Sequence, residues 1–97
     1  MIIRKPTHPG EFVQEDILKE LGLSQGQFAQ ALKVSRKTIN ELVNPKRRLS
    51  PDMALRIGKF TNTNPQTWIN LQTAWDLWAA SNSKEAKSIE KIQHFAA

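Results

Sequence analysis

Residues 24–43 read SQGQFAQALKVSRKTINELV, and this stretch decides the fold. Ser24, followed three residues later by Gln27, is a capping box that starts a helix. Phe28, Ala31 and Leu32 give that short helix its apolar face, and Ser35 caps a second helix carrying Ile39, Leu42 and Val43 at helical spacing. Ala29 is small where the two helices cross, and Val34 plugs the turn between them. Two short helices held rigidly at a small separation are what major-groove reading requires. The first lies across the backbone and the second inserts its N-terminal part into the groove. With Ile39 and Leu42 anchoring the second helix from beneath, Ser35, Arg36, Lys37, Thr38 and Asn40 point outward. Such side chains hydrogen-bond to base edges and phosphates; Arg36 suits guanine and Asn40 suits adenine. Gln25 opens the preceding helix, where the positive helix end favours a phosphate. The segment implies a helix-turn-helix that binds duplex DNA.

One position departs from the common pattern. The turn residue before Val34 is commonly glycine because its backbone is left-handed; here it is Lys33, at a cost of roughly 1 kcal/mol. Lys33 also brings a further cation toward a phosphate backbone.

The charge agrees with the motif. Residues 33–48 hold Lys33, Arg36, Lys37, Lys46, Arg47 and Arg48 against the single acid Glu41, so this window carries the whole net charge of +5. A basic cluster by itself is as often a solvated surface as a polyanion site. Here it coincides with the outward face of the second helix and continues into the loop after Asn44-Pro45, where Lys46, Arg47 and Arg48 are placed to clamp a sugar-phosphate backbone. About four to six phosphate contacts per subunit make binding fall steeply with salt. An ordinary helical hairpin shares the apolar spacing but not the agreement of capping box, turn and charge.

The flanks read as helices too. His8-Pro9-Gly10-Glu11 places a proline at a first helical position, and Val13, Ile17 and Leu21 form a stripe with Leu18 beside it, closed by Gly22. Ser50-Pro51 starts a fourth helix lined by Met53, Ile57 and Phe60, and Asn64-Pro65 a fifth and longer one. Strand alternation is absent, so an all-α fold of five helices is expected over residues 1–80. Residues 81–97 are polar, with Ile89, Ile92 and Phe95 loosely periodic, and are expected to form a tail or short helix.

Several classes are excluded. With no cysteine in 97 residues there is neither a disulfide framework nor a thiolate metal site. The N-terminus lacks the apolar core of a signal peptide, and no apolar run approaches the roughly 20 residues that span a bilayer. A cytoplasmic location without membrane association is the expectation. The only histidines, His8 and His94, join no nucleophile, base or metal-ligand set, so neither an enzyme nor a cofactor or metal is expected.

In the fifth helix Trp68, Leu71, Trp75 and Trp78 fall at i, i+3, i+7 and i+10. A stripe this long contacts more than one apolar surface. Trp68 and Leu71 are expected to face the core, and Trp75 and Trp78 a two-fold interface between copies, unless all four pack within one chain. A dimer sets two recognition helices about 34 Å apart, the spacing of successive major grooves in a palindromic site. The first helix carries Glu11, Glu15, Asp16 and Glu20, either a solvated face or a surface for a basic protein.

With these landmarks in place the chain resembles the HigA-type (VapI-type) antitoxins of the Xre/Cro helix-turn-helix class. The resemblance rests on HPGE at 8–11, the helix-turn-helix, LSPDMALRIGKF at 49–60 and NPQTWINLQTAWDL at 64–77, and covers residues 8–78. It implies a Cro/lambda-repressor-like five-helix domain that dimerises and represses its own operon at a double-stranded operator, in the bacterial nucleoid when bound. It also implies a HigB-type ribonuclease toxin that the protein neutralises. A stand-alone Xre/Cro-type repressor without a toxin shares the same DNA site and is the alternative.

Overall fold

The computed structural model describes residues 3–96, and all regular structure among them is helical. Helix α1 (Pro9–Phe12) runs directly into a π-helical stretch, Val13–Lys19. It is followed by α2 (Gln25–Leu32), α3 (Arg36–Val43), α4 (Pro51–Thr61), α5 (Pro65–Ser81) and a short α6 (Ala86–Glu90) within the tail.

The start signals act as capping chemistry requires. Ser24, Ser35 and Ser50 accept the backbone N–H three residues on at 3.0, 3.1 and 3.2 Å. Asn64 accepts that of Gln66 at 2.9 Å. His8 caps in the same way, its Nδ1 accepting the Gly10 N–H at 2.9 Å. Pro9, Pro51 and Pro65 each follow directly, where their missing N–H is no loss.

The ends share one device. Gly22, Lys33 and Asn62 take left-handed backbones with φ of 66°, 60° and 57°. The next residue's N–H then reaches back five positions: Leu23 to Leu18, Val34 to Ala29 and Thr63 to Gly58, at 2.9–3.0 Å. The left-handed Lys33 is as expected; Asn62 carried no signal that the spacing alone revealed.

One core unites the five longer segments: α2 packs on α3 and α4, α4 on α5, and α1 on α3 and α5. Phe28, Ile39, Leu42, Ile57 and Val13 are fully enclosed at its centre. The approach of α1 to α3 needs Gly10, because a side-chain carbon there would lie 1.8 Å from the Leu42 carbonyl oxygen. Trp68 is buried, its indole N–H donating to Thr63 Oγ1 at 2.8 Å, and Leu71 packs half-buried against the core.

Three apolar positions differ from the expected faces. Ala31 is exposed, and Ala29, one turn before Lys33, is buried on the inward face of α2 instead. Leu21 is 55% exposed rather than part of the first-helix stripe. The π-helical i→i+5 turns rotate less per residue than α-helical ones, so Ile17 and Leu18 both face inward and Leu21 falls out of phase. Phe60 is 42% exposed; it sits at the core's edge, one ring against Phe28 at 5.7 Å. In the tail, no residue of α6 is buried.

Candidate DNA interface

The helix-turn-helix is assembled from local bonds before any long-range contact. The Ser24–Gln27 box is reciprocal: Ser24 N–H donates to Gln27 Oε1 at 2.9 Å while Ser24 Oγ accepts the Gln27 N–H. At the turn, the left-handed Lys33 is secured from α4. Arg56 donates to the Leu32 carbonyl at 2.8 Å and to that of Lys33 at 3.4 Å, and its Nε is held by Asp52 at 2.7 Å. These bonds satisfy carbonyls that the end of α2 leaves open. Sequence spacing gave no sign of this clamp, because Arg56 lies more than twenty residues downstream.

On α3 the structure separates the expected contact residues by task. Ser35 Oγ is committed to the cap and also shares a 2.8 Å hydrogen bond with the half-buried Thr38 hydroxyl. Arg36 and Lys37 open the helix, both exposed, with Lys37 adding its charge to the field on Glu41 one turn on. Asn40 is exposed one turn further along and donates to Gln25 Oε1 on α2 at 3.2 Å. Gln25, Arg36, Lys37 and Asn40 thus belong to one polar edge shared by the two helices.

The basic loop is more constrained than its sequence suggests. Arg47 pairs with Glu41 at 2.8 Å, and that hydrogen bond holds the Glu41 carboxyl below the usual carboxylate range. Arg48 pairs with Asp76 of α5 at 2.5 Å. Lys46 is exposed, and its backbone N–H closes the loop onto the Glu41 carbonyl at 2.9 Å. Exposed pairs of this kind contribute little, about 0–1 kcal/mol, so phosphates can displace them.

The partner of Arg48 belongs to a network that spans α5 and the segment before α4. Gln72 is buried, accepts the Leu49 N–H at 2.7 Å and donates to Asp76 Oδ1 at 3.0 Å. The long helix therefore fixes both the start of the Leu49 segment and the direction of Arg48. A glutamine at position 72 within an otherwise apolar stripe was the available signal.

Trp75 and Trp78, expected at an interface between copies, lie together on the half-exposed side of α5 with ring centres 5.0 Å apart. His8 meets Trp75 edge-on at 4.9 Å, and the Lys5 ammonium lies 5.9 and 5.2 Å from the two ring centres. Burial holds the His8 imidazole below its usual pKa, against the opposing pull of Asp76 and Glu11.

Known proteins share the family and the fold of this chain. A helix-turn-helix family model matches residues 15–68. The chain is 43% identical over 82 residues to virulence-associated protein I of Dichelobacter nodosus, covering 84% of this chain and 76% of that protein. The solved structure of Pseudomonas aeruginosa antitoxin HigA with the higBA promoter is similar with a TM-score of 0.88 and 38% identity, over 95% of this chain and 100% of that one. Antitoxin GraA in complex with its operator gives a TM-score of 0.89 and 37% identity, over 100% and 98% of the two chains.

Proposed function

Because the chain belongs to the Xre-type helix-turn-helix family that includes the HigA antitoxins, a family of DNA-binding regulators and not of enzymes, we propose that it is the antitoxin of a type II pair. In this reading it neutralises a HigB-type ribonuclease and represses its own operon as a dimer on a palindromic operator. The observation that carries the reading is the polar edge of Gln25, Arg36, Lys37 and Asn40. It is presented by a capped, clamped helix pair within a body that matches operator-bound antitoxins along nearly its whole length.

Mechanistically, α2 lies over the phosphate backbone with Gln25 at its N-terminus, and the first turns of α3 enter the major groove. Arg36, Lys37 and Asn40 reach bases and adjoining phosphates, while Ser35 and Thr38 keep the helix start rigid. Lys46, Arg47 and Arg48 exchange their acidic partners for phosphates as the loop meets the backbone. Trp75 and Trp78 form the two-fold contact that sets two such edges one helical turn of DNA apart. The protein acts in the bacterial cytoplasm; no helix among the described residues is long and apolar enough to cross a membrane.

The test is co-expression with the adjacent open reading frame. Co-purification with a small basic product, together with rescue of growth from that product, is expected. A stand-alone repressor predicts operator binding with neither co-purification nor rescue. Failure to bind its own upstream region would remove both readings.

A further inference from the structure

Two apolar surfaces stand uncovered among the described residues. One is a groove of about 930 Å3 between the first helix, α4 and α5, lined by Phe12, Leu21, Phe60, Trp68 and Leu71, with Asp16 on its wall. The other is the tail, where Ile89, Ile92 and Phe95 recur every third residue and are 50%, 74% and 83% exposed. No residue of α6 is buried, and a helix of five residues is not stable in water unless an apolar face is covered, so Ile89 needs a surface to lie on.

Helix α5 links the two. Its stripe begins at the groove with Trp68 and Leu71 and ends with Trp75 and Trp78, beyond which the tail departs. Antiparallel pairing of two α5 helices across Trp75 and Trp78 sets Ser81 of one copy opposite Gln72 of the other. The chain beyond Ser81 is then directed along Leu71, Trp68 and Asn64 of that second copy. We propose that the tail of each protomer docks in the groove of its partner, with Ile89, Ile92 and Phe95 covering the apolar lining. This rests on the two-fold pairing proposed above.

Charge and shape favour the exchange. The tail brings Lys84, Lys87 and Lys91 against Glu85 and Glu90 and so is net positive, whereas the first helix presents Glu11, Glu15, Asp16 and Glu20 against Lys19 alone. The molecule measures 54 × 25 × 21 Å, an elongation far beyond that of a compact helical body of this length, so the tail does not lie folded into its own groove.

The chain has no cysteine, which makes disulfide trapping clean. Full-length Leu21→Cys and Ile92→Cys proteins, mixed and oxidised, should give a crosslinked dimer that neither gives alone. Thr67→Cys serves as a second groove position should position 21 fold poorly. The Leu21→Cys/Ile92→Cys protein should likewise form a covalent dimer. Sedimentation of the reduced proteins separates the failures. A dimer without the crosslink overturns tail docking and leaves the α5 pairing; a monomer at all concentrations overturns both. An internally closed monomer, or Ile92→Cys crosslinking only to itself, overturns the exchange.

Discussion

Asn40 donates a 3.2 Å hydrogen bond to Gln25 Oε1, fifteen residues earlier on the neighbouring helix. The bond joins the start of α2 to the exposed side of α3, so that in the docking proposed above a contact made by either residue fixes the other. Asn40→Ala is expected to weaken operator binding by about 1–3 kcal/mol and to relax preference at one base pair. Gln25→Ala should cost less, and the double variant less than the sum of the two, because they act as a coupled pair. Titration of operator DNA by fluorescence anisotropy measures all three, and strict additivity would show that the bond has no role in recognition.

Arg36 and Lys37 are exposed at the start of α3, and Lys37 feels only the field of the half-buried Glu41, so their removal leaves the fold alone. The Arg36→Ala/Lys37→Ala protein should keep its melting temperature, within the ±0.5 kcal/mol usual for surface changes. Its operator affinity should fall to the non-specific level. The slope of log affinity against log salt should become shallower by roughly one to two units, about 0.9 for each lost phosphate contact. Retained operator affinity would exclude α3 as the recognition helix.

Asp76 holds Arg48 in an ion pair, and in the docking proposed above it competes with phosphate for that side chain. Asp76→Asn keeps an acceptor for Gln72 but removes the charge that holds Arg48, so operator affinity at low salt should rise. The gain should be several-fold, since an exposed pair is worth up to about 1 kcal/mol, and it should fade as salt is added. Unchanged or lower affinity at low salt would place Arg48 away from the DNA.

His8 predicts a pH dependence of stability. Its Nδ1 accepts from Gly10 and its ring is buried against Trp75, so the folded state favours the neutral imidazole. The unfolded chain binds the proton more readily, and stability therefore rises with pH across the interval between the two pKa values. The contribution is complete above about pH 6.5 and is lost as pH falls through the lowered folded value. Calorimetry between neutral and mildly acidic pH should show the decline. In His8→Asn, which retains a capping acceptor, the histidine part of the slope should vanish.

Lys33 occupies a left-handed backbone that glycine adopts without strain. Lys33→Gly should stabilise the domain by about 1 kcal/mol, raising the melting temperature by roughly 4–8 °C. Arg56→Met removes the bonds to the Leu32 and Lys33 carbonyls and should act oppositely, by about 1–2 kcal/mol. If Lys33→Gly lowers the melting temperature instead, the left-handed turn is not a source of strain.

The sequence by itself determined what depends on neighbours in the chain. Serine, asparagine and proline signals start helices through bonds spanning two or three residues, and Ser24, Ser35, Ser50 and Asn64 all cap where their spacing required. The same short range made the outward residues of α3 legible, because a helix with Ile39 and Leu42 buried leaves Arg36, Lys37 and Asn40 on the other side. Only the tertiary structure decided which cations are free. Arg48 finds Asp76, and Arg56 finds the end of α2, across separations that no local pattern encodes. The π-helical turn over Val13–Lys19 that carries Leu21 out of phase has no counterpart in the local spacing, which fits an ordinary α-helix equally well. The helix-turn-helix at residues 24–43 was therefore readable from its own residues, whereas the bonds that hold its turn and loop in place come from α4 and α5.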